Sequence, residues 1–241
     1  MNNLPENSTE ELTLVIAPAS DQPGGLDLKA LTDYLSEQIG VPILTHRCGD
    51  YAEAMTALRD GSAQIGWLGP YAYREVSGRD GTVEAFAVGL PKEKSTPNYH
   101  SLFIVRLDSD MTLLADVRNR SIALGDAYSA SGREVPRCEL AEVGIDIEND
   151  GAFSSITYAD NHNEAIRAVL DGKVDVAPVS SVNLEEMVSS GTVEPSSFRI
   201  IHQSADIPGA PLVYARTLDP SLKQQLKELV LDAHNHIEVG G

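Results

Sequence analysis

Ala123-Leu124-Gly125-Asp126-Ala127-Tyr128-Ser129-Ala130-Ser131-Gly132-Arg133-Glu134-Val135-Pro136 is the stretch on which the fold turns. The end of an apolar strand, Ser121 to Leu124, runs into a glycine and then into hydroxyl residues, just where a helical pattern from Ser131 to Val143 begins. This is one βα step. The turn points backbone N–H groups and the hydroxyls of Ser129 and Ser131 beyond the carboxyl end of the strand. Two readings stand at this point. Either a serine is an N-cap and nothing more, or the turn holds an oxyanion, aided by the roughly half positive charge of a helix N-terminus.

Outward from this stretch, strand-like and helix-like patterns alternate. Leu12 to Ala17 is a β-rich run stopped by Pro18, and Leu28, Leu31, Leu35 and Ile39 recur at helical spacing until Gly40. Val41 to Thr45, Ala63 to Leu68 and Val83 to Leu90 read as strands, with helices at Tyr51 to Arg59 and Tyr71 to Val76. Pro91 to Asn98 separates this series from a second, which opens with the run Tyr99 to Leu107. Further strands are predicted at Ser154 to Tyr158 and Val174 to Val179, and a helix at Asn163 to Leu170. Near Ile200 to Gln203 the chain returns, giving a strand at Pro211 to Ala215 and a terminal helix from Leu218 to His236. That helix places Leu222, Leu226, Leu229, Val230 and Ala233 on one face.

Alternation of this kind makes an α/β protein with mixed sheets flanked by helices. The expected organisation is a frayed segment over 1–11, one lobe from 12–103 plus 207–241, and a second lobe from 104–206. Two crossings between lobes imply a hinge, and the cleft between them is the default ligand site. The sequence shows no internal repeat.

Composition narrows the function. The 241 residues are 42% hydrophobic, enough for a core, and carry 18 Lys+Arg against 36 Asp+Glu, a net charge of −18. Nucleic acid is a poor partner for such a surface. No apolar run is long enough to span a bilayer. Met1 to Asn7 has neither a basic nor an apolar segment, which fits a cytoplasmic protein or a mature domain without its export signal. Cys48 and Cys138 could form one disulfide or stand apart; buried, inert thiols are the expectation. Neither a nucleophile elbow, a phosphate-binding P-loop, a zinc-protease helix nor a dinucleotide fingerprint is present, so no enzyme activity, cofactor or metal is expected. Ser129 or Ser131 with His162 mimics a nucleophile and base, but no orienting carboxylate is evident.

Several segments together resemble the phosphonate-binding (PhnD-type) solute receptors of bacterial ABC transporters. They are Asp50-Tyr51-Ala52, Trp67-Leu68-Gly69-Pro70, Tyr99 to Val105, Gly125 to Gly132 running on to Val135-Pro136, Asn161 to Ala165, and Ile207 to Pro211. The resemblance covers about residues 12 to 235 and implies a two-lobed periplasmic-binding-protein fold of type II. It implies an extracytoplasmic receptor, periplasmic or membrane-anchored, that captures a small phosphite- or phosphonate-like anion and delivers it to an ABC permease of the inner membrane. A monomer is expected, and a ligand-sensing module for a membrane signalling protein is the alternative. The matching ligand residues are the turn Ser129, Ala130, Ser131 and Gly132, the tyrosines Tyr51 and Tyr99, and His162, which as an imidazolium would add positive charge. Ala130 stands where the family has threonine and offers only its N–H.

Two departures bear on the ligand. Family members that take aminoethyl phosphonates place acids where this chain has Val182 and Ala210. A buried ammonium without a partner loses its hydration at a cost of several kcal/mol, so phosphite, methylphosphonate or another amine-free phosphonate is the expected ligand. Arg133 is expected to point to solvent or to pair with Glu134 or Glu139; the alternative is direct ligand contact, which would admit a second ligand anion such as a carboxylate.

Overall fold

The computed structural model describes residues 11–18, 28–79, 81–90, 94–148 and 151–237. Apart from Glu11, the expected frayed start lies outside the described residues. The chain runs β1 (Leu12–Ile16), α1 (Leu28–Ile39), β2 (Ile43–Arg47), α2 (Tyr51–Asp60), β3 (Ile65–Trp67), α3 (Pro70–Arg74), β4 (Val83–Val88) and β5 (Ser101–Arg106). It continues with β6 (Ser121–Leu124), α4 (Val135–Glu142), β7 (Ser155–Tyr158), α5 (His162–Leu170), β8 (Val176–Ser180), α6 (Ser181–Ser189), β9 (Phe198–Gln203), β10 (Pro211–Ala215) and α7 (Pro220–Asp232).

Two five-stranded mixed sheets result, ordered β2-β1-β3-β10-β4 and β7-β6-β8-β5-β9. In each, the second strand in the order, β1 or β6, pairs parallel with both neighbours, and an antiparallel strand supplied by a crossing of the chain comes next. The topology therefore repeats where the sequence does not. The two crossings lie side by side, Tyr99 and Ile207 exchanging both backbone hydrogen bonds at 2.9 and 2.8 Å.

Both faces of each sheet are covered, which is why the inner strands read as continuous apolar runs. Leu12, Leu14 and Ile16 pack beneath α1 and α7 with Leu35 and Leu226, while Val15 on the opposite face meets Ala54, Met55 and Leu58 of α2. In the second sheet Phe103 and Val105 share one core with Ile122 and Leu124; Leu102 and Ile104 share the other with Ile166 and Val179. Full burial of one such leucine contributes about 2 kcal/mol.

Two expectations change, and one helix went unread. All of β5, Ser101 to Phe103 included, pairs in the second sheet, so the change of sheet falls ahead of Ser101 and not between 103 and 104. Residues 198–203 form β9 at the edge of that sheet, so the return comes after Gln203. The pattern also passed over α6, because its inward face carries Ser181 and Asn183 beside Leu184 and Met187 and so lacks a clean apolar period.

Candidate functional site

Pro136 sets the shape of the serine turn. It has no N–H, so the carbonyl of Gly132 lacks its helical donor and accepts instead from Gly125 N–H at 2.9 Å. The helix consequently starts as a π-turn over Ala130–Glu134, with Val135 N–H reaching back five residues to the Ala130 carbonyl. The Ser131 carbonyl, left over by this slip, takes the Ser101 hydroxyl at 2.7 Å. The turn is thereby tied to the ends of β5 and β6. Gly125 and Gly132 approach so closely that a Cβ on Gly132 would stand 2.9 Å from Ser129 Oγ, 3.1 Å from Gly125 Cα and 3.2 Å from the His162 ring.

Ser129 does cap the helix, its Oγ accepting Gly132 N–H at 3.0 Å. Ser131 does something else, because its hydroxyl lies 3.1 Å from His162 Nε2. His162 is the first residue of α5, behind the N-cap Asn161, whose side chain accepts Glu164 N–H at 2.9 Å. Its Nδ1 accepts the N–H of Ser180 at 3.3 Å, which puts the ring proton on Nε2. Burial pushes the imidazole down to about 4. The expected imidazolium is thus corrected: His162 is a neutral donor, since Nδ1 is already engaged and the charged ring would have to be desolvated. A protonated Nε2 also has no capacity to take a proton from Ser131, which undercuts the nucleophile–base reading.

Tyr51 is built in the same way in the first lobe. It opens α2 behind Asp50, whose carboxylate accepts Glu53 N–H at 2.7 Å. Its ring is buried, and its hydroxyl faces Ser129. Burial, with Tyr99 and Asp126 nearby, raises this phenol above its ordinary value. Tyr99 faces Ser131, and burial pushes it up to about 12. Both phenols are therefore protonated donors at neutral pH. All of Tyr51, Tyr99, Ser129, Ala130, Ser131, Gly132 and His162 come together, with Ser129, Ser131 and His162 each at most 7% exposed.

The lobes meet at this point. Tyr71 of α3 stacks on Tyr128 with ring centroids 6.4 Å apart, and Tyr51 N–H points to the Asp126 carboxylate. Burial raises the Asp126 carboxyl, its bonds to Tyr128 and Tyr51 N–H opposing the shift and Asp50 adding to it. Ser101, Asp126 and Ser180 were missed as supporting residues; Ser101 and Asp126 stood inside motifs already singled out. Arg133 pairs with neither expected glutamate: it bonds Glu148 at 2.8 Å beneath the ring of Tyr158, while Glu134 is engaged by Arg137 and Glu139 by His202. Cys48 is buried as expected, but Cys138 is exposed, and both are free thiols.

Two sheets that exchange a strand through paired connectors, with donors from both lobes converging at their junction, define a solute-binding protein of the type II periplasmic-binding-protein fold. Within that class, the chain belongs to the family of ABC transporter phosphonate periplasmic substrate-binding proteins, matched over residues 15–239. It is 27% identical over 203 residues to the phosphonates-binding periplasmic protein of Escherichia coli, a match taking in 82% of this chain and 58% of that protein. The chain thus spans a little over half the length of that relative. A binding protein component of an ABC phosphonate transporter from Pseudomonas aeruginosa superposes with a TM-score of 0.82 at 26% identity, over 95% of this chain and 76% of the other. A Prochlorococcus marinus protein, solved in complex with methylphosphonate, shares the fold with a TM-score of 0.80 at 18% identity, over 92% and 84% of the two chains. Among the described residues, no helix is long and apolar enough to cross a membrane.

Proposed function

We propose that this protein is the extracytoplasmic receptor of an ABC importer and captures a small, amine-free phosphorus oxyanion, such as methylphosphonate or phosphite, without chemically changing it. The reading rests on one observation: Tyr51 and Tyr99 meet the Ser129–Gly132 turn and the Nε2–H of His162 in a cluster of neutral donors. In the structure described here these groups face one another across the lobes. An anion enters when the lobes part about the Tyr99–Ile207 connectors and replaces those mutual contacts with charge-assisted hydrogen bonds when they close. Neutral donors suffice because the helix N-terminus supplies the positive end of a dipole, which matters in a chain of net charge −18.

Val182 on the first turn of α6 and Ala210 beside the connector offer an ammonium no carboxylate. Titration calorimetry is expected to show methylphosphonate or phosphite binding about a hundredfold or more tighter than aminoethylphosphonate, the several kcal/mol of an unpaired ammonium. Equal or tighter binding of aminoethylphosphonate overturns the amine-free assignment.

A further inference from the structure

We propose that His46, Cys48 and Glu53 form a second site, for a divalent transition metal of the zinc class, at the outer edge of the first lobe. The imidazole nitrogen, the thiol sulfur and a carboxylate oxygen all lie within 4.8 Å of one another. The local fold explains why. His46 sits on the edge strand β2, and Cys48 follows two positions on, so both side chains leave the same face. The Cys48 N–H bonds the Ile16 carbonyl at 3.0 Å, which prolongs the ladder and fixes the thiol. Glu53 comes from the first turn of α2, where Gly49 N–H holds one carboxylate oxygen at 2.6 Å and the other lies 2.8 Å from His46 Nε2.

The donor set selects the metal. One nitrogen, one sulfur and one oxygen suit zinc or a similar borderline cation, whereas calcium and magnesium require oxygen. Three protein ligands leave a fourth position for water. His46 and Glu53 are exposed and give a cation access, while Cys48 is buried at 5% exposure. Binding forms a metal–sulfur bond as the S–H bond breaks, and the thiol proton passes to solvent. The site does not depend on the identity of the anion in the cleft.

Cobalt(II) titration of the whole protein is the test, with zinc(II) as competitor. One equivalent of Co²⁺ is expected to give a thiolate-to-cobalt charge-transfer band that Zn²⁺ abolishes, that is absent in Cys48→Ser, and that persists in Cys138→Ser. The exposed variant His46→Gln, which leaves the core untouched, is expected to weaken Co²⁺ binding about tenfold or more. Absence of the band in the native protein, its loss in Cys138→Ser alone, or unchanged affinity in His46→Gln overturns the site.

Discussion

Asp50-Tyr51-Ala52-Glu53 in the first lobe and Asn161-His162-Asn163-Glu164 in the second are the same device with different chemistry. Each follows the outer parallel strand of its sheet, β2 or β7, and each caps a helix through a bond to the N–H of a glutamate three residues on. Each holds a ring at the first helical position, facing a serine of the turn. The difference lies in how the ring is kept neutral. Tyr51 needs no such help, because a phenol is uncharged anyway at neutral pH and burial only raises it further, whereas His162 is held neutral by burial, with a backbone donor on Nδ1. A symmetric framework thus supplies two unlike donors to one point, and both are neutral at physiological pH.

The sharpest way to break the comparison is through pH. The folded value of His162 is about 4 against an ordinary 6.5, so between these limits the unfolded chain binds the proton and the native state does not. Stability linked to His162 is therefore complete above 6.5 and falls as pH drops toward 4, by up to about 3 kcal/mol. His162→Asn keeps an acceptor for Ser180 N–H and is expected to remove that slope from urea unfolding free energies between pH 4 and 7. Tyr51→Phe is expected to leave the slope unchanged. Equal slopes in wild type and His162→Asn would show that the imidazole is not held neutral.

A smaller effect separates the glycines packed against the two rings. A Cβ on Gly69 would meet only the tip of Tyr51, at 3.1 Å, and a side chain can give by a few tenths of an ångström. On Gly132 it would meet Gly125 Cα at 3.1 Å as well as Ser129 and His162, and the Gly125–Gly132 backbone bond cannot yield. Gly132→Ala is expected to cost about 2 kcal/mol of stability and to abolish anion binding; Gly69→Ala is expected to cost less than about 1 kcal/mol. A reversed order, measured by denaturant midpoints, would place the rigid wall of the site in the first lobe.

Much of this was legible in the sequence wherever local chemistry and tertiary demand coincide. The apolar spacing of α1 and the strand β10 report on neighbours a few residues away, and the turn announced itself by its hydroxyls and glycines. What escaped depends on distant partners. The slip of the helix start into a π-turn follows from Pro136 together with Gly125, just past the end of β6, and Ser101, at the start of β5. The state of His162 is decided by Ser180, eighteen positions away, and no spacing rule reports which ring nitrogen is occupied. The edge strand β9 exposes much of its surface and so lacks the alternation that marks a half-buried strand.

The smallest expected effect exchanges the two caps. Asp and Asn cap helices about equally well, so Asp50→Asn and Asn161→Asp are each expected to change unfolding free energy by less than about 0.5 kcal/mol, whereas Asp50→Ala and Asn161→Ala each cost about 1 kcal/mol. Charge makes the exchanges unequal in binding. Asp50 already raises the carboxyl of Asp126 across the lobe junction, so its negative charge is felt beside the donors. Removing it in Asp50→Asn is expected to strengthen anion binding about twofold at physiological ionic strength, and adding one in Asn161→Asp to weaken it by a similar factor. Calorimetry at two salt concentrations checks this, because a through-space effect shrinks as salt rises. An affinity change in Asp50→Asn that ignores salt would mean that the cap acts by positioning Tyr51, and the two helix starts would then differ in mechanics as well as in charge.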